Sequence, residues 1–145
     1  MILGLGCIAH DLILVTETPW ESGKGRVIES ETRFGGNVRN ALATVAALGH
    51  PAGYLGAIGI TTVGDEAMSD LVEYDISTEY VERVAGADPV ESRITVTAGG
   101  ERYIAFDDAP LGRTPLPAGR DLRSANRSAR AALPGRDSSV GRAGD

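Results

Sequence analysis

A single cysteine, Cys7, stands among 145 residues. An internal disulfide is therefore excluded, and a lone thiol fits a reducing, cytoplasmic compartment. Histidine is nearly as scarce, with only His10 and His50, so Cys and His together cannot furnish the four ligands of a structural zinc site. Nowhere do apolar residues run to the ~20 needed to cross a bilayer. The opening "MILGLG" lacks the basic region and cleavage pattern of a secretory signal. Positive charge is short in the main body. The whole chain carries −6, and seven arginines against three aspartates from Arg113 onward leave residues 1–112 at −10. A body that acidic opposes non-specific nucleic-acid binding, which runs on basic surface. Neither a nucleic acid nor a membrane is the expected partner.

What remains has the composition of a globular domain, 42% hydrophobic and 23% charged. The segment 113–145 departs from it. It has no Ile, Phe, Tyr, Trp, Met or Lys, and all seven aromatics precede it. Such a segment cannot bury a core. It reads as a disordered or non-native extension, with a short helix over 122–133 or an RNA-binding arm as alternatives. The domain proper is placed at residues 1–112.

Within that body, periodicity sets an order of elements. "MILGLGCIA" is apolar without helical period and reads as a buried strand. "DLILVTE" continues as a strand after a break at His10, and "PWESGKG" is a turn. "RVIESETRF" alternates as a half-exposed strand does. Residues 37–48 read as a helix with Val38, Leu42, Val45 and Leu48 inward, stopped by Gly49. "AGYLGAIG" is a short buried strand. "VGDEAMSDLVEY" is an amphipathic helix with Ala67, Leu71 and Val72 inward. "SRITVTA", Gly99-Gly100 and "ERYIAFDD" make a hairpin. The order predicts an α/β sheet carrying a β-flap.

Two glycine motifs have simpler explanations than nucleotide binding. "GLGCIA" (4–9) fits G-x-G-x-x-A, but the β-branched "HDLILVTETP" follows where a helix should open, so close packing explains Gly4 and Gly6 better than NAD. "SGKG" (22–25) lacks the remaining P-loop residues: Thr18 stands where its first glycine belongs, and Gly25 follows the lysine. "FGGNVRNALATVAALG" (34–49) is different. Gly35-Gly36 permits positive φ and close approach of backbone to a ligand, and the helix start offers unpaired N–H groups. Asn37 and Asn40 lie one turn apart on one face and can donate and accept at once, which suits the vicinal hydroxyls of a sugar. A plain cap with a surface asparagine is the competing account. Asp11, just past the first strand, can accept two hydroxyl hydrogen bonds, or can simply be a solvated loop residue.

Taken in order, the first strand, "GCIAHD", a flap ending in "FGGNVRN", an alanine-rich helix, "LG" and "GYLGAIG" resemble the N-terminal part of the PfkB/ribokinase-like carbohydrate kinases. Gly35, Gly36, Asn40, Gly49 and Gly59 occupy the places of that family's first signature, while Val38 and Leu42 stand where small residues are usual. "GGNVRN" is most similar to the ketohexokinase branch and "PWESGKG" to the sulfofructose kinases. The resemblance implies a ribokinase-like α/β fold with an inserted β-lid. It implies that Asp11, Gly35, Gly36, Asn37 and Asn40 hold sugar hydroxyls, and that Arg102 reaches from the flap toward the phosphate side. Ala9 stands where ribokinases often carry asparagine, which argues against ribose. Family members use ATP and Mg²⁺, and their catalytic base is the aspartate of "GAGD". "AGD" at 143–145 echoes that motif, but Arg142 replaces its first glycine, and it reads as coincidence. No catalytic residue or metal ligand is therefore assigned. The expectation is a sugar kinase fragment lacking its catalytic half and inactive alone, with a non-catalytic sugar-binding module or a homodimer through the flap as the alternative.

Overall fold

The computed structural model describes residues 1–17 and 23–107. Its strands are β1 (Ile2–Leu5), β2 (Ala9–Thr16), β3 (Val27–Gly35), β4 (Ala52–Ile58), β5 (Ile76–Ser77), β6 (Val81–Arg83), β7 (Val90–Val96) and β8 (Arg102–Asp107). Helix α1 spans Asn37–Ala47 and α2 spans Thr62–Glu73. The segment 113–145, its short-helix alternative, the "AGD" echo and the first residues of "PWESGKG" lie outside the described residues.

Two sheets divide the labour. In the first, β4 runs parallel to β1, β5 and β6. Every residue of β4 is buried, as befits a strand covered on both faces, where a continuous apolar run replaces alternation. The second is a four-stranded flap in the order β3-β2-β7-β8. Here β2–β3 and β7–β8 are antiparallel, and β2–β7 is the parallel seam that joins the two hairpins into one sheet.

The main core joins the helices to the first sheet through Ile8, Leu42, Ala52, Tyr54, Ile58, Ala67, Leu71 and Ile76. Helix α2 begins where the Thr61 hydroxyl accepts from the Gly64 amide at 3.3 Å, with Asp65 in the first turn opposing the dipole's positive end. Helix α1 stops at Gly49, whose φ of +79° is the left-handed geometry of a helix C′ residue. Phe34 packs against this core from the flap and lies 5.0 Å from the His10 ring across the β2–β3 pair.

Several expectations are corrected. The first strand is not buried: Ile2 and Leu5 are exposed, because β1 pairs only with β4 among the described residues. The chain breaks at 6–8 rather than at His10, which is already within β2. Leu48 (72% exposed) and Val72 (62%) point outward. Each follows its helix's last inward residue by a step that rotates it off the apolar stripe. The lead-in to the hairpin contains two short strands, β5 and β6, whose only signal is pairing with the distant β4. The buried β4, the helix over 37–47, the strand at β3 and the 90–107 hairpin agree with expectation, but β3 is exposed along most of its length rather than alternating.

Gly4 and Gly6 serve packing. A methyl group on Gly4 would lie 2.7 Å from Val38 Cγ1, and one on Gly6 would collide with Val38 Cγ2. The branched Val38, where the resemblance has small residues, thus fits because Gly4 and Gly6 present no side chain beneath it. No helix follows these glycines, as a dinucleotide site would require.

Tyr54 ties the break after β1 to β4: its hydroxyl donates to the Gly6 carbonyl at 2.6 Å. Burial first, and then the nearby Cys7, push the phenol up to about 12 from 10.0. A folded-state pKa above the unfolded one gives stability that is complete below pH 10.0 and is lost as pH rises toward 12. The loss amounts to up to ~2–3 kcal/mol. Alkaline titration of the melting temperature should show this decline, and Tyr54→Phe should flatten it. An equally steep decline in the Phe variant would remove Tyr54 as its source.

Candidate functional site

The flap and α1 meet at Gly35-Gly36. Strand β3 ends at Gly35, Gly36 takes φ +95° and ψ 149°, and Asn37 opens the helix. That conformation is essentially reserved for glycine. A methyl group on Gly36 would also lie 2.7 Å from the Cys7 carbonyl oxygen and 3.0 Å from the Ala9 nitrogen. The β3–α1 corner is therefore pressed onto the backbone between β1 and β2.

Asp11 faces this corner. In the β2–β3 ladder it opposes Arg33, one step along its face from the Ala9–Gly35 pair. A methyl group on Gly35 would stand 2.6 Å from Asp11 Oδ2, so the carboxylate occupies the space that a side chain would fill. The other oxygen, Oδ1, accepts a 2.5 Å hydrogen bond from the Ser92 hydroxyl on β7. Ser92 opposes Asp11 in the parallel seam and is itself buried. Sequence reasoning missed Ser92. Its only signal is register, because it lies 81 residues from Asp11.

Past the corner, no side chain caps α1. Its first-turn N–H groups look out past Gly36 beside the positive end of the dipole. Asn37 and Asn40 are both exposed and lie one turn apart. The structure thus brings Asp11, Gly35 and Gly36 together, adds Ser92, and sets the two asparagines on the adjoining turn.

Arg102 is not part of this group. It opposes Val96, whose partner on β2 is Val15, whereas Asp11 is level with Ser92 and Phe106. Four residues of strand separate the two levels, about 13 Å. The exposed side chain that stands at the level of Asp11 on β8 is Phe106.

Chemically, the corner offers a fixed carboxylate acceptor, backbone donors at a helix start and two amide side chains. That set matches a small neutral molecule with adjacent hydroxyls.

The chain is similar in fold to solved sugar kinases. A ribokinase candidate from Agrobacterium tumefaciens is 27% identical with a TM-score of 0.65, over 73% of this chain and 35% of that one. Fructokinase from Xylella fastidiosa is 23% identical with a TM-score of 0.60, over 75% and 32%. Arabidopsis thaliana ribokinase, solved with ribose and ATP, is 17% identical with a TM-score of 0.60, over 73% and 35%. The chain spans about a third of the length of these relatives. Its two-layer sheet and flap are the ribokinase-like α/β fold. The model of the pfkB family carbohydrate kinases matches residues 1–118, and the chain belongs to that family.

Proposed function

We propose that this chain carries the sugar-binding corner of an ATP-dependent carbohydrate kinase, acting in the cytoplasm. Asp11 accepts from sugar hydroxyls while the Gly35-Gly36 backbone and Asn37 and Asn40 complete the ring of contacts. The observation that supports this reading best is the Asp11 carboxylate, held by Ser92 and laid over Gly35 at the mouth of α1. A ketohexose such as D-fructose is the substrate we favour, in keeping with the "GGNVRN" resemblance. Arg102, too far along the flap to join the Asp11 group, is left to the phosphate side only if the flap closes.

ATP and Mg²⁺ belong to the reaction of the family, and no site for either is assigned among the described residues. Among the described residues no three His, Cys, Asp or Glu side chains are grouped to hold a metal ion. Two of the nearer carboxylates, Asp65 and Asp70, are engaged by Arg83 and Arg39. No transfer step is assigned to these residues, and the chain alone is expected to produce no sugar-dependent ADP.

Titration calorimetry with D-fructose tests the binding reading. Saturable heat should appear, and Asn40→Ala should weaken it by about 1–2 kcal/mol, the cost of one hydrogen bond lost to a bound polar group. Unchanged affinity in Asn40→Ala would sink it. A second reading is a flap-mediated homodimer, favoured by the exposed Val27, Ile28, Tyr103, Ile104 and Phe106 on the outer flap strands. No heat with any sugar, together with a dimer by sedimentation velocity, would select it.

A further inference from the structure

Arg39 breaks two local rules at once. It is an arginine with 7% of its surface exposed, and it is a cation in the first turn of α1, where the helix dipole is positive and no acidic residue offsets it. Its compensation comes from α2. Arg39 Nε donates to Asp70 Oδ2 at 2.8 Å and Nη2 to Asp70 Oδ1 at 2.6 Å, a fork-to-fork pair. The guanidinium also lies 3.9 Å over the Tyr74 ring. The hydrogen bonds to Asp70 raise its pKa, against the opposing effect of burial. The link from α1 to α2 is thus made by a cation at the helix end where a cation is least favoured. It is set within three residues of the uncapped corner, where Gly36 supplies no capping side chain. Broken local rules of this kind are expected at functional positions. The third nitrogen reaches the site itself: Arg39 Nη1 donates to Asn40 Oδ1 at 3.4 Å.

We propose that Arg39 is a positioning residue for the sugar corner, fixing the first turn of α1 through Asp70 and Tyr74 and turning the Asn40 amide so that its NH₂ faces the substrate. Asn40 then meets a hydroxyl oxygen as a donor, while Asp11 meets a neighbouring hydroxyl as an acceptor. The two residues read opposite halves of a diol, and the choice is made before the sugar arrives. The assignment rests on the sugar-binding reading of the corner.

Arg39→Lys keeps the charge and loses the fork. Calorimetry on the full chain with D-fructose and D-ribose should show affinity for the bound sugar falling about tenfold in Arg39→Lys, the equivalent of one lost hydrogen bond. Asn40→Ala, costly in the parent, should cost less than about twofold in the Arg39→Lys background, because the amide is already misdirected. Amide hydrogen exchange should quicken at Val38–Ala41 and not at the far end of α1. Ile76→Val, which thins the buried core away from the corner, should lower stability and leave affinity within about twofold, the near-additive behaviour of a distant site. Equal affinity in Arg39→Lys, equal loss in Ile76→Val, or additive Asn40 and Arg39 effects would each overturn the assignment while leaving the sugar reading in place. A parent chain that binds neither sugar would overturn both.

Discussion

Gly36→Ala should unfold the corner, lowering stability by about 3–5 kcal/mol. Backbone strain contributes about 1–3 kcal/mol, because a side chain is forced to φ +95°, ψ 149°. Overpacking contributes a similar ~1–3 kcal/mol. The new methyl would meet the Cys7 carbonyl at 2.7 Å, the Ala9 nitrogen at 3.0 Å and the Ile8 Cα at 3.2 Å. All three are backbone atoms, so no side chain can swing aside to make room. Gly49→Ala separates the two contributions. Gly49 also has positive φ, +79°, but nothing lies within 4 Å of the added methyl, so strain alone should cost about 1 kcal/mol. For a domain of this size the difference amounts to roughly 10–20 °C in melting temperature. Equal melting temperatures for the two variants would show that the corner is not packed as described.

Asp70→Ala should cost about 3 kcal/mol in urea unfolding. Breaking a buried pair strands the remaining charge, typically at 3–5 kcal/mol. The lower figure applies because the two side chains keep 9% and 14% of their surface and water can reach the abandoned guanidinium. Tyr74 softens the loss, since a cation over a ring retains ~0.5–2 kcal/mol. Arg39→Met should cost less, because Asp70 on the surface helix can turn to solvent. Arg39→Met with Asp70→Ala should recover part of the single Asp70 loss, as apolar replacements of whole buried pairs often do. The hydrogen bonds to Asp70 hold the folded-state pKa of Arg39 above its ordinary value, so on the arginine side the stabilisation persists through neutral and mildly alkaline pH and fades only in strong alkali. A loss under about 1 kcal/mol, the range of surface ion pairs, would mean that the pair is solvated after all.

The readable features of this chain were local ones. Helix α1, its stop at Gly49, the extended β3 and the Gly99-Gly100 hairpin all follow from periodicity and turn residues within ~10 positions of one another. The corner's residues were also readable individually, because glycine pairs and helix-start asparagines are rare enough to notice. Errors arose where one residue's orientation depends on a distant partner. Leu48 and Val72 carry apolar side chains, yet among the described residues both stand exposed. Strands β5 and β6 are two and three residues long and exist because β4 offers them a ladder. Arg39 carries no local signal of burial; only Asp70, 31 positions on, makes it a buried residue.

The sequence alone determined the kind and order of the longer elements and the acidic, cysteine-poor composition of the body. It did so because propensity, alternation and net charge are properties of neighbouring residues. Tertiary structure decided that Asp11 lies over Gly35 and is held by Ser92, that Arg102 stands four residues of strand away, and that α1 is anchored by Arg39 to α2. Each of these is set by strand register or helix packing. A one-residue slip in register would turn Asp11 to the opposite face of the flap, and nothing within the short stretch around Asp11 distinguishes the two outcomes.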